Sequence, residues 1–281
     1  GEDWQLVGEG YGFTEGTAVN AKGEVFFQDI PNSKTYKVDL EGKLELYNND
    51  SKKASGTTFT TSRQMLTITG GWSEPPTKQV HRYKSAASYD VLADETPGND
   101  ITISFKGNVY VTSPDGREKP SKLYLIKPTG ERIVVDEGLK FANGLCLSPD
   151  QTQLYVTEST SHWVWVYQVQ PDGTLKHKQK YGWLHVRDMD ENAWSDGLKC
   201  DREGRLYVTT LSGIQVMDQL GRVNAIIPVP KTKGQVSNLC FGGPRFDIMY
   251  VSVHDKVYRR KVKVTGANNF ETPVKPPQPR M

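Results

Sequence analysis

A short phrase that recurs along the chain constrains its fold more than any other feature of the sequence. Each copy begins with a polar residue, usually followed by glycine, and continues through a short apolar strand, a tight turn and a second strand. The clearest copy starts at Asp196 and Gly197, turns at 202–204 and ends in the strand-like run 206–209. The six copies start 40 to 53 residues apart, at Glu15, Ser55, Asn99, Asn143, Asp196 and Asn238.

A period of roughly 40–50 residues made of short strands is typical of a β-propeller, in which each blade is a four-stranded sheet. Six copies predict six blades, and the lack of any sustained helical period predicts an all-β chain. Because a propeller closes only when all its blades are present, residues 1–281 should form one domain. A proline-rich tail at 270–281 should lie on its surface.

The last copy of the phrase predicts how the propeller closes. Only two strands follow the one that starts at Asn238, at 248–253 and 256–264, so this blade lacks a fourth strand. The alternating apolar stretch at 4–8 precedes the first copy and can supply that strand. We therefore expect an N-terminal strand to close the last blade, which removes an open sheet edge.

Composition and charge narrow the classes of partner. The 281 residues carry a net charge of +2 with both signs interspersed, and a nucleic-acid partner would instead require a basic face. No run of about 18 apolar residues is present, so no membrane span is expected. We expect a small-molecule partner and a monomer or weak oligomer. Because the chain starts at Gly1, two locations stay open: an exported (periplasmic or secreted) protein whose signal was removed, and a cytoplasmic one.

The three cysteines allow two interpretations. Cys146, Cys200 and Cys240 each follow the start of a phrase, so three thiolates could in principle ring a metal ion around the propeller axis. Their offsets of 3, 4 and 2 residues are unequal, which predicts sulfurs at different depths and on different faces of their strands. The sequence therefore favours three small, buried, apolar side chains.

The first residues of the six phrases should meet at one end of the central channel. We call them the mouth ring: Glu15, Ser55, Asn99, Asn143, Asp196 and Asn238. All six carry a side-chain oxygen and two are carboxylates, so their charge sums to −2. Such a set suits a hard divalent cation, and calcium is favoured because it accepts amide oxygens and irregular geometry, whereas zinc prefers His or Cys. The alternative is that these residues only cap strand entries or turns.

Several motifs resemble those of the gluconolactonase/regucalcin (senescence marker protein) family, over a region from about Glu15 to Arg260. The motifs are Thr14-Glu15-Gly16, Gly98-Asn99-Asp100, the run 142–150 (ANGLCLSPD), Ser195-Asp196-Gly197-Leu198 and the run 238–244 (NLCFGGP). The resemblance implies a six-bladed propeller with one divalent ion, calcium or another metal, at the channel mouth, and a hydrolase that opens lactones. Carried over by position, Glu15, Asn143 and Asp196 would bind the metal. Asn99 would bind it more weakly or contact substrate, and Asp196 would also act as base or nucleophile.

The chain departs from this family at two places that bear on the substrate. Pro97 stands where animal sugar lactonases carry an arginine, and Ser113 stands where many bacterial members carry an aspartate. These differences make a sugar-acid lactone a less certain substrate and leave the mouth ring intact. Two alternatives to a lactonase therefore stay open: a phosphotriesterase that uses the same ion, and a non-catalytic propeller in which calcium only stabilises the structure.

Long loops on the side of the mouth ring carry three further candidates for substrate binding. His254 lies between two strands of the last blade and could act as a general base or hold a substrate carbonyl. His185 lies in the longest loop, at 181–195, and Trp72 lies in the loop at 68–78 and could form a wall of the pocket. For all three, an ordinary surface or packing role is the alternative.

Overall fold

The computed structural model describes residues 2–70, 77–117, 119–230 and 234–279. Within these residues, 24 strands form six four-stranded antiparallel sheets arranged as a β-propeller, which confirms the predicted fold class. In five of the sheets the strands are consecutive in the chain. The first strand of each blade is the innermost and begins within two residues of a member of the mouth ring.

The first three blades contain strands β2 to β13, and β1 belongs to the last blade. Blade one contains β2 (Thr14–Val19), β3 (Val25–Asp29), β4 (Lys34–Val38) and β5 (Leu44–Asn48). Blade two contains β6 (Thr57–Phe59), β7 (Met65–Ile68), β8 (Val80–Ser85) and β9 (Ser88–Ala93). Blade three contains β10 (Ile101–Ile103), β11 (Val109–Ser113), β12 (Pro120–Ile126) and β13 (Arg132–Lys140).

The remaining strands complete blades four to six. Blade four contains β14 (Ala142–Leu147), β15 (Gln153–Glu158), β16 (Trp163–Val169) and β17 (Leu175–Trp183). Blade five contains β18 (Leu198–Cys200), β19 (Leu206–Thr210), β20 (Gly213–Met217) and β21 (Val223–Ile227). Blade six contains β22 (Val236–Gly242), β23 (Ile248–Val253), β24 (Lys256–Lys261) and the N-terminal β1 (Gln5–Glu9).

The N-terminal strand closes the propeller as expected, one residue later than the stretch at 4–8. β1 pairs with β24 in antiparallel register, from Gln5 opposite Arg259 to Glu9 opposite Lys256. The ammonium of Lys256 also forms an ion pair with the carboxylate of Glu9. Blade six therefore joins the N-terminal strand to the last three strands of the chain. Its outermost strand is β1 and its innermost strand is β22.

The hydrophobic core lies in the gaps between neighbouring blades. Inner and second strands are buried along almost their whole length, because both of their faces are covered by adjacent sheets. The gap between blades three and four, for example, is filled by Tyr110, Leu123, Leu145, Leu154 and others, all almost completely buried. The outer strands, such as β13 and β21, are mostly exposed or half-buried. This rigid stack fixes where each inner strand starts and therefore where the mouth ring lies.

The C-terminal segment covers the end of the channel opposite the mouth ring. The far ends of the inner strands line a cavity of about 50 Å³, and residues 267–270 close it. Asn269 Nδ2 donates to Thr102 Oγ1 at 2.7 Å, and Ala267 N donates to Cys200 O at 3.0 Å. Beyond these residues the tail follows the surface, where Val274 N donates to the carbonyl of Pro149.

The cysteines are buried and free, as the sequence favours, but their predicted separation is wrong. Cys146, Cys200 and Cys240 all line the cavity at the closed end of the channel. The sulfurs of Cys146 and Cys200 lie 3.7 Å apart. β14 has a register shift between Ala142 and Leu145, so residue counts from the mouth ring do not give depth along the strand.

Among the residues described, no helix is long and apolar enough to cross a membrane.

Candidate metal centre and active site

Members of the mouth ring converge at the open end of the channel. Glu15, Asn143, Asp196 and Asn238 are buried there, and Asn99 is half-buried. Asn238 Nδ2 donates to Glu15 Oε2 at 2.8 Å, and the charge of Glu15 raises the pKa of the Asp196 carboxyl. Blade one, which is distant in the sequence from blades five and six, thus contributes to a carboxylate pair and an amide that meet at the mouth.

The glycine that follows most mouth-ring residues lets neighbouring inner strands approach each other closely. A Cβ atom at Gly16, which has φ +59°, would lie 2.0 Å from the carbonyl oxygen of Ser55 in the next blade. A Cβ atom at Gly144 would lie 2.4 Å from the carbonyl oxygen of Asp196. Real side chains do not tolerate such distances, so the polar–glycine pair in the sequence reflects contact between blades as well as chemistry.

Threonine hydroxyls fix the backbone of the mouth ring from the preceding blade. Thr112 Oγ1, at the end of the second strand of blade three, donates to the carbonyl of Asn143 in blade four. Thr157 Oγ1 occupies the corresponding place in blade four and donates to the carbonyl of Asp196 at 2.8 Å. The functional importance of these positioning residues is not apparent from the phrase that starts each blade. Their signal is the Val-Thr pair near the end of each of these second strands, Val111-Thr112 and Val156-Thr157.

The buried carboxyls of the site are electrostatically unfavourable in the metal-free protein. Burial, followed by the charge of Asp100, raises the pKa of Glu15 from 4.5 to about 7. Burial, followed by the charges of Glu15 and Asp100, raises the pKa of Asp196 well above its ordinary value. Burial raises the pKa of Asp100 as well. Carboxyls in this position require either protons or a cation close by.

Asp100 and Lys199 are two further charged side chains of the channel that the mouth ring does not include. Asp100 is buried next to Asn99, at the place where most copies of the phrase have glycine, and its Oδ2 has no hydrogen-bond partner within the described part of the chain. Lys199 lines the far cavity, and its charge lowers the pKa of both Glu15 and Asp100. Asp100 and Lys199 thus add one carboxyl and one ammonium group to the carboxyls of Glu15 and Asp196.

The donor set fits a hard divalent cation. Asn143 Nδ2 donates to Ser159 Oγ at 3.1 Å, while its amide oxygen Oδ1 is buried and accepts no hydrogen bond from the residues described. A buried amide oxygen without a donor is unfavourable unless a cation takes that place. In the described ranges no three His, Cys, Asp or Glu side chains group as a metal site, so an ion here would need amide oxygens together with the carboxylates. Calcium accepts such a mixed oxygen set.

His254 lies at the same end of the propeller, beside a loop that reaches Asp196. Gln235 Nε2 donates to Asp196 Oδ2 at 3.4 Å. A Cβ atom on the preceding residue, Gly234, would lie 2.6 Å from the Cβ of His254. The His254 ring packs edge-on against Phe13, with 5.7 Å between ring centroids, and its φ is +53°. A role for His254 in substrate binding stays a prediction.

His185, the second loop candidate, lies beside the third strand of blade five. The side chain of His185 is exposed, and its backbone exchanges hydrogen bonds of 2.9 and 2.7 Å with the side chain of Gln215, in the third strand of blade five. These bonds hold His185 above the outer part of the blade, and substrate contact there stays a prediction. Trp72 lies outside the described residues.

A six-bladed propeller with buried carboxylate and amide oxygens at its channel mouth defines the class of this protein. Residues 13–255 match the family described as SMP-30/Gluconolactonase/LRE-like region, and the chain belongs to that family. The resemblance found in the motifs is therefore confirmed.

Two characterised relatives show the range of chemistry found among similar sequences. A gluconolactonase from Zymomonas mobilis is 29% identical over 184 residues, which are 60% of this chain and 51% of the relative. A diisopropyl-fluorophosphatase from Loligo vulgaris is 27% identical over 125 residues, 39% of each chain. The chain thus spans about half or less of the length of the curated relatives that it matches.

Solved structures with the same fold cover almost the whole chain. A gluconolactonase from Xanthomonas campestris superposes with a TM-score of 0.75 and 19% identity, covering 94% of this chain and 89% of the other. A calcium-binding protein, regucalcin, from Agrobacterium tumefaciens superposes with a TM-score of 0.77 and 16% identity, covering 95% of both chains. At these identities the likeness establishes the fold alone.

Proposed function

We propose that this protein is a divalent-cation-dependent hydrolase that opens the ester ring of a small lactone, and that calcium is the cation. One observation carries the proposal. The channel mouth buries two carboxyls that raise each other's cost of ionisation, next to the unpartnered amide oxygen of Asn143. Family membership and the gluconolactonase relative point to the same chemistry.

Each residue of the site has a distinct role in this proposal. Glu15, Asn143 and Asp196 hold the cation, and Asn99 adds a weaker bond or contacts substrate. A bound divalent cation would polarise the ester carbonyl and stabilise negative charge on its oxygen. Asp196 accepts the proton of the attacking water, and the hydrogen bond from Gln235 orients its carboxylate.

The decisive experiment is a substrate panel measured with calcium and with chelator. Aldonolactones, aliphatic lactones and an organophosphate are each incubated with the protein, and release of acid is followed. Chelator-sensitive hydrolysis of a lactone supports the proposal. If no member of the panel turns over in either condition while calcium still raises the melting temperature, the protein is a calcium-stabilised binding propeller instead.

The variant Asp196→Asn tests the assigned base. It keeps an oxygen ligand and removes one negative charge, so calcium should bind more weakly and turnover should be lost even at calcium concentrations that saturate the variant. Asp190→Asn is the matched control, because Asp190 lies in the same loop and pairs with Arg187 at the surface. Full activity of Asp196→Asn at saturating calcium would leave Asp196 as a ligand only.

A phosphotriesterase is the second candidate, favoured by the match to the diisopropyl-fluorophosphatase. The same site could stabilise charge on a phosphoryl oxygen instead of a carbonyl oxygen. The organophosphate in the panel separates the two activities: a kcat/KM on it that exceeds the value on every lactone would favour the second candidate.

A further inference from the structure

An arginine and a tryptophan from two different loops meet at the rim of the channel mouth. Arg117 lies in the loop between β11 and β12 of blade three, and Trp194 lies in the loop that leads into blade five. The guanidinium carbon of Arg117 lies 4.5 Å from the centroid of the Trp194 ring. The two loops therefore come together on the same side of the propeller as Asp196.

Trp194 is fixed close to the proposed metal site. It precedes Asp196 by two residues, which corresponds to about 6–7 Å along an extended chain. Its φ of +47° is unusual for a bulky residue, and Phe141, with φ +53°, has the same position relative to Asn143 in the preceding blade. Such a conformation persists only where the surrounding structure determines it. The indole is thus a rigid support at the mouth for whatever packs on it.

Among the residues described, Arg117 forms no ion pair with a carboxylate. The neighbouring cations of both loops are paired, Lys119 with Asp115 and Arg187 with Asp190. Within residues 2–70, 77–117, 119–230 and 234–279, no carboxylate forms an ion pair with Arg117, whose side chain is exposed. Stacking on the indole occupies a face of the guanidinium and leaves its edge N–H donors for a ligand.

We propose that Arg117 is a specificity-determining residue that binds an anionic group, a carboxylate or a phosphate, carried by the substrate away from its ester ring. This inference rests on the proposed function. A planar fork of N–H donors matches the paired oxygens of these two groups, which a neutral hydroxyl does not offer. Calcium neutralises the carboxylates of the mouth ring, so Arg117 leaves a positive charge at the rim that an anionic substrate can use and a neutral one cannot. The preferred substrate class is therefore an anionic lactone.

The test compares one neutral sugar lactone with two that carry an anionic group. Glucono-δ-lactone is neutral, 6-phosphoglucono-δ-lactone carries a phosphate and glucaro-1,4-lactone carries a carboxylate. With calcium saturating, Arg117→Ala should lower kcat/KM for one or both anionic lactones by tenfold or more, mainly through KM, and change the neutral lactone by less than twofold. Arg117→Lys should restore part of the loss, because it keeps the charge without the fork. The arm that responds identifies the group.

Controls separate this role from a structural one. Arg187→Ala removes a paired cation from the neighbouring loop and should leave the selectivity unchanged. Trp194→Leu removes the support and should reduce the preference for the anionic lactone in the same direction as Arg117→Ala. Equal losses on charged and neutral lactones, or no loss on either, would overturn the inference while hydrolysis of the neutral lactone still upheld the proposed function.

A last measurement applies if the parent protein hydrolyses none of the three lactones, so that hydrolysis gives no readout for Arg117. Binding of gluconate, 6-phosphogluconate and glucarate to the calcium-loaded protein is then measured by calorimetry. The anion site is upheld if 6-phosphogluconate or glucarate, which carry a second charged group, binds more tightly than gluconate and this difference is lost in Arg117→Ala. Equal binding of all three, or none, rejects it.

Discussion

Removing the cation should make the stability of this protein depend on pH in a direction opposite to that of most acidic side chains. In the metal-free protein the pKa of Glu15 is raised from 4.5 to about 7 by burial and by Asp100. A carboxyl whose pKa is higher in the folded than in the unfolded state contributes stability below its unfolded pKa. That contribution is lost as the pH rises through the folded pKa. The free energy of unfolding should therefore fall between about pH 4.5 and pH 7.

The magnitude follows from the shift of Glu15. Its pKa changes by roughly 2.5 units, which corresponds to a loss of at most about 3 kcal/mol over this range. Asp196 adds to the loss in the same direction, because burial and the charge of Glu15 also raise its pKa. For a chain of this size, a loss of about 3 kcal/mol lowers the melting temperature by roughly 5–10 °C.

Scanning calorimetry in chelator, at half-unit steps from pH 4.5 to pH 7.5, measures the effect, and a second series contains saturating calcium. Calcium replaces the protons, so the gain in melting temperature that it produces should grow with pH. Binding should also release protons near pH 6, seen as a dependence of the binding heat on the buffer. Glu15→Gln should flatten the chelator series, whereas Glu41→Gln, at an exposed position, should not. A metal-free melting temperature that is constant or rises over this range, relative to Glu15→Gln, would refute the reasoning.

Three further predictions concern the geometry of the inner strands. Gly16→Ala should destabilise the protein by well over about 2 kcal/mol, because the new Cβ would lie 2.0 Å from Ser55 O. Gly10→Ala, at a positive φ with open space around it, should cost only about 1–2 kcal/mol. Urea unfolding of the two variants compares these losses. Asn143→Leu should weaken calcium binding tenfold or more by titration calorimetry, with a smaller change in metal-free stability. Truncation after residue 264 should lower the melting temperature and expose the buried thiols to a thiol reagent.

The sequence predicted the fold because the propeller repeats a local pattern. The polar start, the strand and the turn recur at every blade, so six weak signals in phase identify the architecture. Closure was equally predictable, since a blade with too few strands and an unused N-terminal strand determine each other. The shift of this strand from 4–8 to Gln5–Glu9 is the ordinary error of a strand boundary.

The sequence predicted the residues of the candidate site whose position is set by the repeat. It did not predict those whose position depends on contacts between blades. Glu15, Asp196 and Asn238 were expected together because each starts a phrase, and the structure brings them together. Asp100 occupies the second place of its phrase, where other copies have Gly or Leu, and nothing local shows that it is buried against the site. Contacts such as that of Arg117 with Trp194 join residues 77 positions apart and leave no periodic signal.

The net formal charge of the named channel residues is the same as the charge counted for the mouth ring from the sequence. Counting the mouth ring alone gave −2, from Glu15 and Asp196. The structure adds Asp100 and Lys199, whose opposite charges cancel, so the total is again −2 although it is spread over four side chains. A divalent cation neutralises this total, and a monovalent one would leave a buried carboxylate uncompensated. The inner strands thus favour a doubly charged ion through their overall charge as well as through the oxygens at the mouth, and Lys199→Met should accordingly raise the pKa of Glu15 further and steepen the fall in metal-free stability with pH.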